Sequence, residues 1–343
     1  MTEKTEKTEK RNFRFETLQL QAIHDTPDIT TRARAVPIYA TTSFTFKNVE
    51  HAANVFGGKE VSSHLYEYNP TSSVFEERMA ALEGGTNAIF TPSGQAAQFV
   101  AISTICSVGD NIISTNCLYG GIYIQFKVTL PRFGINVKFV QGDDPEEFAR
   151  LIDNKTKAIY LESMGNPKLN IPDFAICKIA HVAGIPVIID NTFGAVVILL
   201  SQLNMVQILL FTAQRNDWRS WNNNRRHKMM SHGFHIQHPY HENAKKFMRN
   251  GFGCILAFGV KGDANTGVAF IDAFTTCKSF GKCGDAKTLV IHSASTTHQQ
   301  LTDEEQLSAG VNKEIIHVSV GYEHIGDIKE DFTIAFEKIK EIN

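Results

Sequence analysis

Between residues 86 and 195 the chain alternates short apolar runs with longer amphipathic ones. NAIF, GDNIISTN, INVKFVQ, TKAIYLESMGNP and IPVIIDNTF read as strands. SGQAAQFVAISTI, DPEEFARLI and IPDFAICKIAHVAG read as helices. This β-α-β rhythm predicts a mostly parallel sheet covered by helices. The most informative run is VIIDNTFGA, residues 187–195: a buried strand that delivers Asp190, Asn191 and Thr192 at its C-terminal end. In open α/β sheets that end is where ligands bind. A carboxylate closing a buried strand either meets a cation, such as a protonated pyridine nitrogen, or caps the next turn. The pattern alone leaves both readings open.

The flanks are less regular. VFEERMAALEGG, residues 74–85, is an amphipathic helix stopped by two glycines. Thr91-Pro92-Ser93-Gly94 is a turn ahead of a helix N-terminus, an arrangement suited to an anion. Residues 11–60 hold a helix at FETLQLQAIH and an extended piece, AVPIYATTSFTF, with no core of their own. From residue 250 the order returns. GFGCILAFGVKG is a strand with a turn or a strand pair, TGVAFIDAFTTCKSF a helix, DAKTLVIHSASTTH a strand running into a polar loop, and TDEEQLSAG a capped helix. EIIHVSVGYE is a strand and IGDIKEDFTIAFEKIKEI a terminal helix. These make a smaller α+β domain. The expected division is a tail and arm at 1–60, a large domain at 61–195, an aberrant segment at 196–230 and a small domain at 231–343.

A net charge of −2 argues against nucleic-acid or anionic-membrane partners, and no apolar run is long enough to span a bilayer. The polar start, MTEKTEKTEK, reads as a disordered tail and not a signal peptide, which points to the cytoplasm. Six cysteines without a CxxC pair fit reduced thiols. His232, His235, His238 and His241 recur every three residues, but Gly233 and Pro239 disrupt a helix and no cysteine or acid joins them at a zinc spacing. A solvated loop is the reading, with no metal.

With these motifs in hand, the chain resembles the pyridoxal-phosphate (PLP) enzymes of Cys/Met metabolism, and within them the O-acetylhomoserine sulfhydrylases. The resemblance rests on FETLQLQAIHDTPDITTRARAVPIYATTSF, NPTSSVFEERMAALEGG, SGQAAQ, LYGG, ESMGNPK, DNTFGA, HENAKKF, NGFG, GDAKTLVIHSASTTHQQL and VSVGYEHIGDIKEDF, in that order. It implies an aminotransferase-like type I fold, an amino-acid substrate, PLP as cofactor and a homotetramer. It also implies roles for single residues. The backbone at Gly94 and Gln95, with Tyr66, would hold the cofactor phosphate. Tyr119 would stack on the pyridine ring and Asp190 would pair with its nitrogen, so that the ring serves as an electron sink. Thr192 would lie beside the ring, Asn166 near its phenolic edge, and Ser295 in the loop that receives the substrate carboxylate.

Three departures qualify that implication. Tyr66-Glu67-Tyr68 lacks the arginine that resemblance expects next to the phosphate. His317 stands where an arginine is expected for the substrate carboxylate. The position of the Schiff-base lysine falls at Arg215, and a guanidinium can neither form the imine nor shuttle protons. Arg215 lies in VVILLSQLNMVQILLFTAQRNDWRSWNNNRR, residues 196–226, which has no glycine and no α/β rhythm. Back-translated and read one base out of register, residues 196–216 yield GYF, QPI and YGADIVVHSATK in order. A second shift over 217–226 yields IGGHGTTIGG. Both are the family's own text, so two small insertions or deletions in the coding DNA account for the break. The single codons of Met205, Trp218 and Trp221 constrain that match. A further block is missing between about residues 226 and 231. Lys228, the lysine nearest the break, is not expected to substitute.

Overall fold

A computed structural model describes residues 13–22, 31–60, 69–193, 206–208, 239–247, 255–279 and 286–340. The chain divides into two compact units, Met1–Thr91 and Pro92–Asn343. Tyr66, Glu67, Arg215, Lys228, His232, His235 and His238 lie outside the described residues.

The first unit contains helices Phe15–Gln21, Val49–Phe56 and Pro70–Glu83. The third begins four residues before the expected helix because Asn69 and Pro70 supply a start signal. The Asn69 side chain accepts from the amide of Thr71 at 2.9 Å, and Pro70 has no amide to leave unpaired. Gly84 ends the helix in the left-handed region, at φ 69. Asn69 also donates to the carbonyls of Tyr39 (2.6 Å) and Thr41 (3.0 Å), tying the extended arm to the helix start. Asn69→Ala is therefore expected to lose about 1–2 kcal/mol in this unit, read as faster amide exchange at Thr71 and Ser73.

Here the structure adds one helix the sequence reading did not place and removes one strand it did. Val49–Phe56 is helical, capped by Asn48, which accepts from His51 N at 2.8 Å. NAIF is not a strand: residues 87–90 have no ladder partner among the described residues, and Ile89 is 75% exposed. Strand propensity yields a strand only where another strand takes up the backbone groups. The piece is held instead by Glu76, whose side chain accepts from Phe90 N at 2.7 Å, and by an edge-on contact of Phe75 with Phe90.

The second unit holds two sheets. The first runs β1 (Asn111–Thr115), β2 (Asn136–Val140), β3 (Thr156–Glu162), β4 (Val187–Asp190) and β5 (Val206–Ile208). Its order is β2-β1-β3-β4-β5 with every pair parallel. Alternation across the pleat builds two cores. Ile113, Ile159, Leu161, Val187 and Ile189 pack on one face, and Ile112, Ala158, Tyr160 and Ile188 on the other. Helices Pro145–Leu151 and Ala175–Val182 cover the first face, through Phe148, Ile176, Cys177 and Ala180. Gly94–Ile105 and the helical stretch 120–132 cover the second, through Ile102, Ile122, Phe126 and Leu130.

The second sheet comprises β6 (Ile255–Gly259), β7 (Lys278–Ser279), β8 (Leu289–His292) and β9 (Ile315–Ser319), in the order β6-β9-β8-β7. Its core is aromatic. Phe270, fully buried, meets Phe258, Phe274, Phe332 and Phe336 with ring centroids 4.8–6.2 Å apart. The helix read over 266–280 is corrected at both ends. It spans Ala264–Asp272, and Lys278–Ser279 is a short strand parallel to β8. Likewise, the helix expected from Ile171 starts at Ala175. No helix of the described residues is long and apolar enough to cross a membrane. Cys106, Cys117, Cys177 and Cys277 are buried, and burial pushes the thiols of Cys117, Cys177 and Cys277 up to about 12.

Candidate active site

A cavity of about 380 Å³ opens beyond the C-terminal ends of β3 and β4. It brings together Gly94, Gln95, Tyr119, Asn166, Asp190 and Thr192, six residues the sequence singled out. Gly94 and Gln95 open the helix Gly94–Ile105. Ser93 caps that helix by accepting from Ala96 N at 3.1 Å, which leaves the amides of Gly94 and Gln95 outside the cap. Tyr119 follows β1, and its backbone N–H donates to Glu162 at 2.8 Å. Asn166 follows β3, with a cis bond to Pro167. Ser295 is not on the cavity wall. Its hydroxyl sits 2.8 Å from His292 Nδ1, while Ser293 and Thr297 line the cavity.

Asp190 is 5% exposed and accepts from both the amide (2.9 Å) and the hydroxyl (2.5 Å) of Thr192. Its other oxygen lies 3.1 Å from the Tyr160 hydroxyl, which is also 3.1 Å from Gln98 Oε1. Asp190 therefore caps its own turn and also lines the cavity. Tyr160 has one proton and faces two acceptors, so Asp190 and Gln98 compete for it. Gln98 in turn donates to Gln125, inside the helical stretch 120–132.

Glu162 is the register partner of Asp190 across β3 and β4, so the two side chains share one face. Burial and then the charge of Asp190 raise the Glu162 pKa well above the usual range, against the pull of the Tyr119 and Asn166 amides. Burial raises Asp190 too, but the Thr192 and Tyr160 bonds oppose it. Like charges at this depth cannot both persist. Glu162 keeps the proton and Asp190 carries the charge. The Tyr160 hydroxyl stays neutral, its pKa raised well above the ordinary value by burial, then by the charges of Asp190 and Glu162.

His317, on β9, is buried and neutral. Burial lowers its pKa to about 4, with a contribution from His298, against a hydrogen bond to the Pro167 carbonyl. That bond is made by Nε2, which must therefore carry the ring's one proton, leaving Nδ1 a bare acceptor. The one donor expected of this histidine is thus already engaged. Among the described residues the cavity wall has no lysine and no arginine.

Sequence reasoning passed over Glu162, Gln98 and Tyr160. Glu162 had the signal, since it closes a buried strand as Asp190 does. Gln98 lies four residues after Gly94 and so shares its helix face. Nothing local marked Tyr160, which reads as an ordinary core residue.

A mostly parallel sheet flanked by helices, a smaller second sheet, and a buried acid at the strand end define a PLP-dependent protein of the type I, aminotransferase-like fold. The chain belongs to the family described as Cys/Met metabolism PLP-dependent enzymes, whose profile matches residues 16–205 and 222–337. It is 38% identical to homocysteine synthase of Schizosaccharomyces pombe, over 94% of this chain and 98% of that one. To O-acetyl-L-homoserine sulfhydrylase 1 of Thermus thermophilus it is 36% identical, over 94% of this chain and all of the other. Among solved structures it resembles a putative O-acetylhomoserine (thiol)-lyase of Campylobacter jejuni carrying N'-pyridoxyl-lysine-5'-monophosphate. The TM-score is 0.84 at 26% identity, covering 95% of this chain and 100% of that one. The family match passes over 206–221, inside the irregular segment. The alignment with the S. pombe protein runs over 424 positions, at least 81 more than the 343 residues of this chain. At least that many positions of the alignment have no counterpart in this chain.

Proposed function

We propose that this chain is built for the O-acetylhomoserine sulfhydrylase reaction, exchange of acetate for sulfide to give homocysteine, and that the polypeptide as written stops at cofactor recognition. The observation that carries this is the cavity. Asp190 is a buried carboxylate placed to hold a protonated ring nitrogen, beside Tyr119 to cover the ring and a helix N-terminus at Gly94 and Gln95 to receive a phosphate. Thr192 would fix the Asp190 carboxylate, and Asn166 would face the phenolic edge. PLP, when bound, supplies an electron sink that stabilises charge built up on an amino-acid substrate.

The ring fits; the covalent anchor does not. No lysine lines the cavity among the described residues, and Arg215 occupies the position that resemblance assigns to the Schiff-base lysine. This favours a second reading for the polypeptide as written, that of a non-catalytic protein descended from an enzyme. Resemblance leaves a trans-sulfuration enzyme of the cystathionine γ-synthase or lyase type as the alternative ancestral activity. The assembly expected from it is a cytoplasmic homotetramer.

Incubation with PLP followed by borohydride reduction separates the readings. The expected result is cofactor that gel filtration removes, no labelled peptide, and no homocysteine from O-acetylhomoserine and sulfide. A labelled lysine peptide together with homocysteine formation would overturn the non-catalytic reading. If the label disappeared in Lys228→Ala, the anchor would be Lys228.

A further inference from the structure

Ser295 and His292 form a pair off the cavity wall. Strand β8 ends at His292, and the chain then makes one 3₁₀ turn, Ser293–Ser295. That turn brings the Ser295 hydroxyl back to 2.8 Å from His292 Nδ1. On the far side of the ring, Nε2 lies 2.8 Å from the Lys313 carbonyl. A carbonyl only accepts, so Nε2 holds the proton of the neutral ring and Nδ1 is a bare acceptor. The Ser295 hydroxyl donates to it. The competing acceptor, the His292 carbonyl, is 3.4 Å from Ser295 and already accepts from the Thr296 hydroxyl at 2.7 Å.

The ring is held in place while the serine is open. His292 is 1% exposed. Helix Ala264–Asp272 passes so close that a β-carbon at Gly267 would lie 3.0 Å from the ring. Ser295 is exposed, and no group among the described residues donates to its oxygen. A hydroxyl with free lone pairs, a base that takes its proton and an acceptor that orients the base are the parts of an activated serine.

We propose that Ser295 is an acyl-acceptor serine, activated by His292 and oriented through the Lys313 carbonyl, that takes an acyl group from a small activated ester. Ser295 Oγ forms the new bond to the acyl carbon as its proton passes to His292 Nδ1. The ester C–O bond breaks, and the leaving oxygen departs with the electron pair and collects that proton. While His292 carries both protons, the Lys313 carbonyl stabilises the charge. This chemistry is separate from the cavity and needs neither PLP nor a lysine.

The test uses the full chain without added cofactor, treated with a fluorescent fluorophosphonate and mapped by mass spectrometry. Here Oγ bonds to phosphorus and fluoride leaves with the P–F electron pair. Ser295 is expected to carry the label, and His292→Gln to slow its labelling about a hundredfold. With p-nitrophenyl acetate, the wild type should release a burst of about one equivalent of nitrophenolate that Ser295→Ala lacks. No label at Ser295, label only at other residues, or equal labelling in His292→Gln would overturn the proposal. Two comparisons decide it even if His292→Gln does not fold. Ser295→Ala changes an exposed side chain and should lose the label, and urea-unfolded wild type should label at Ser295 about a hundredfold more slowly than the folded protein. Equal rates for folded and unfolded chain would show exposure without activation and sink the idea.

Discussion

Asp190→Asn is expected to yield a more stable protein with an inert cavity. Burial raises the Asp190 carboxyl in the folded state from 3.8 to about 6. A group with a raised pKa contributes stability that is fully present below its unfolded pKa and lost as pH rises through the folded one. The contribution of Asp190 alone should therefore fall between about pH 4 and pH 7, by about 3 kcal/mol for a shift of this size. Asparagine removes that loss without breaking the local network. Its oxygen still accepts from the Thr192 amide and hydroxyl, and its amide donates to Tyr160, freeing the tyrosine proton for Gln98. The opposite slope remains. His317, lowered from 6.5 to about 4, contributes stability above pH 6.5 that disappears as pH falls through 4. Denaturant midpoints from pH 4 to pH 8 should stay nearly level in the wild type, where the two opposite slopes offset each other, but rise and level off in Asp190→Asn. Parallel curves would show that Asp190 does not titrate as its burial demands.

Asp331→Ala is expected to have the largest cost to folding, about 4 kcal/mol. Asp331, on helix Ile325–Lys340, is 2% exposed. It accepts from the amides of Thr275 (2.8 Å), Thr276 (2.9 Å) and Cys277 (2.7 Å) and from the Thr275 hydroxyl (2.7 Å). Burial alone would push its pKa up, but these four donors hold it down to about 2. Truncation leaves three amides without a partner beside the Phe270 cluster. Asp331→Asn, which keeps one acceptor oxygen, should lose about half as much. Urea denaturation at pH 7 measures both. A loss under about 1 kcal/mol for the alanine variant would mean that water satisfies those amides.

Much of the second unit was legible in the sequence because its central strands carry short apolar runs, AIYL in β3 and VII in β4, as strands buried on both faces do. Asp190 stood out for the same reason, as an acid at the end of VII. Residues 120–132 did not. The stretch starts with two glycines, runs through β-branched Ile and Val, and contains Pro131, all poor helix formers. It folds as helix because Ile122, Phe126 and Leu130 recur every four residues against Ile102 and Tyr160, and tertiary burial outweighs propensity. NAIF is the opposite case. Its propensity is right, and the described residues supply no neighbouring strand. The cavity's chemistry was half legible. The histidine at 317 was visible as a weak donor, but the use of that donor on Pro167 depends on the turn after β3, 150 positions away.

The run at residues 86–91, TNAIFT, joins no strand ladder among the described residues, and this has a consequence outside catalysis. It is six residues without charge, proline or glycine, with Ile89 and Phe90 facing solvent. Such a segment is the unit from which cross-β assemblies grow, since an identical copy can satisfy every backbone group it leaves open. The yield of this protein in a cell is thereby tied to chaperones and proteases and to how concentrated the chain becomes, and a single Ile89→Lys gatekeeper should raise its solubility.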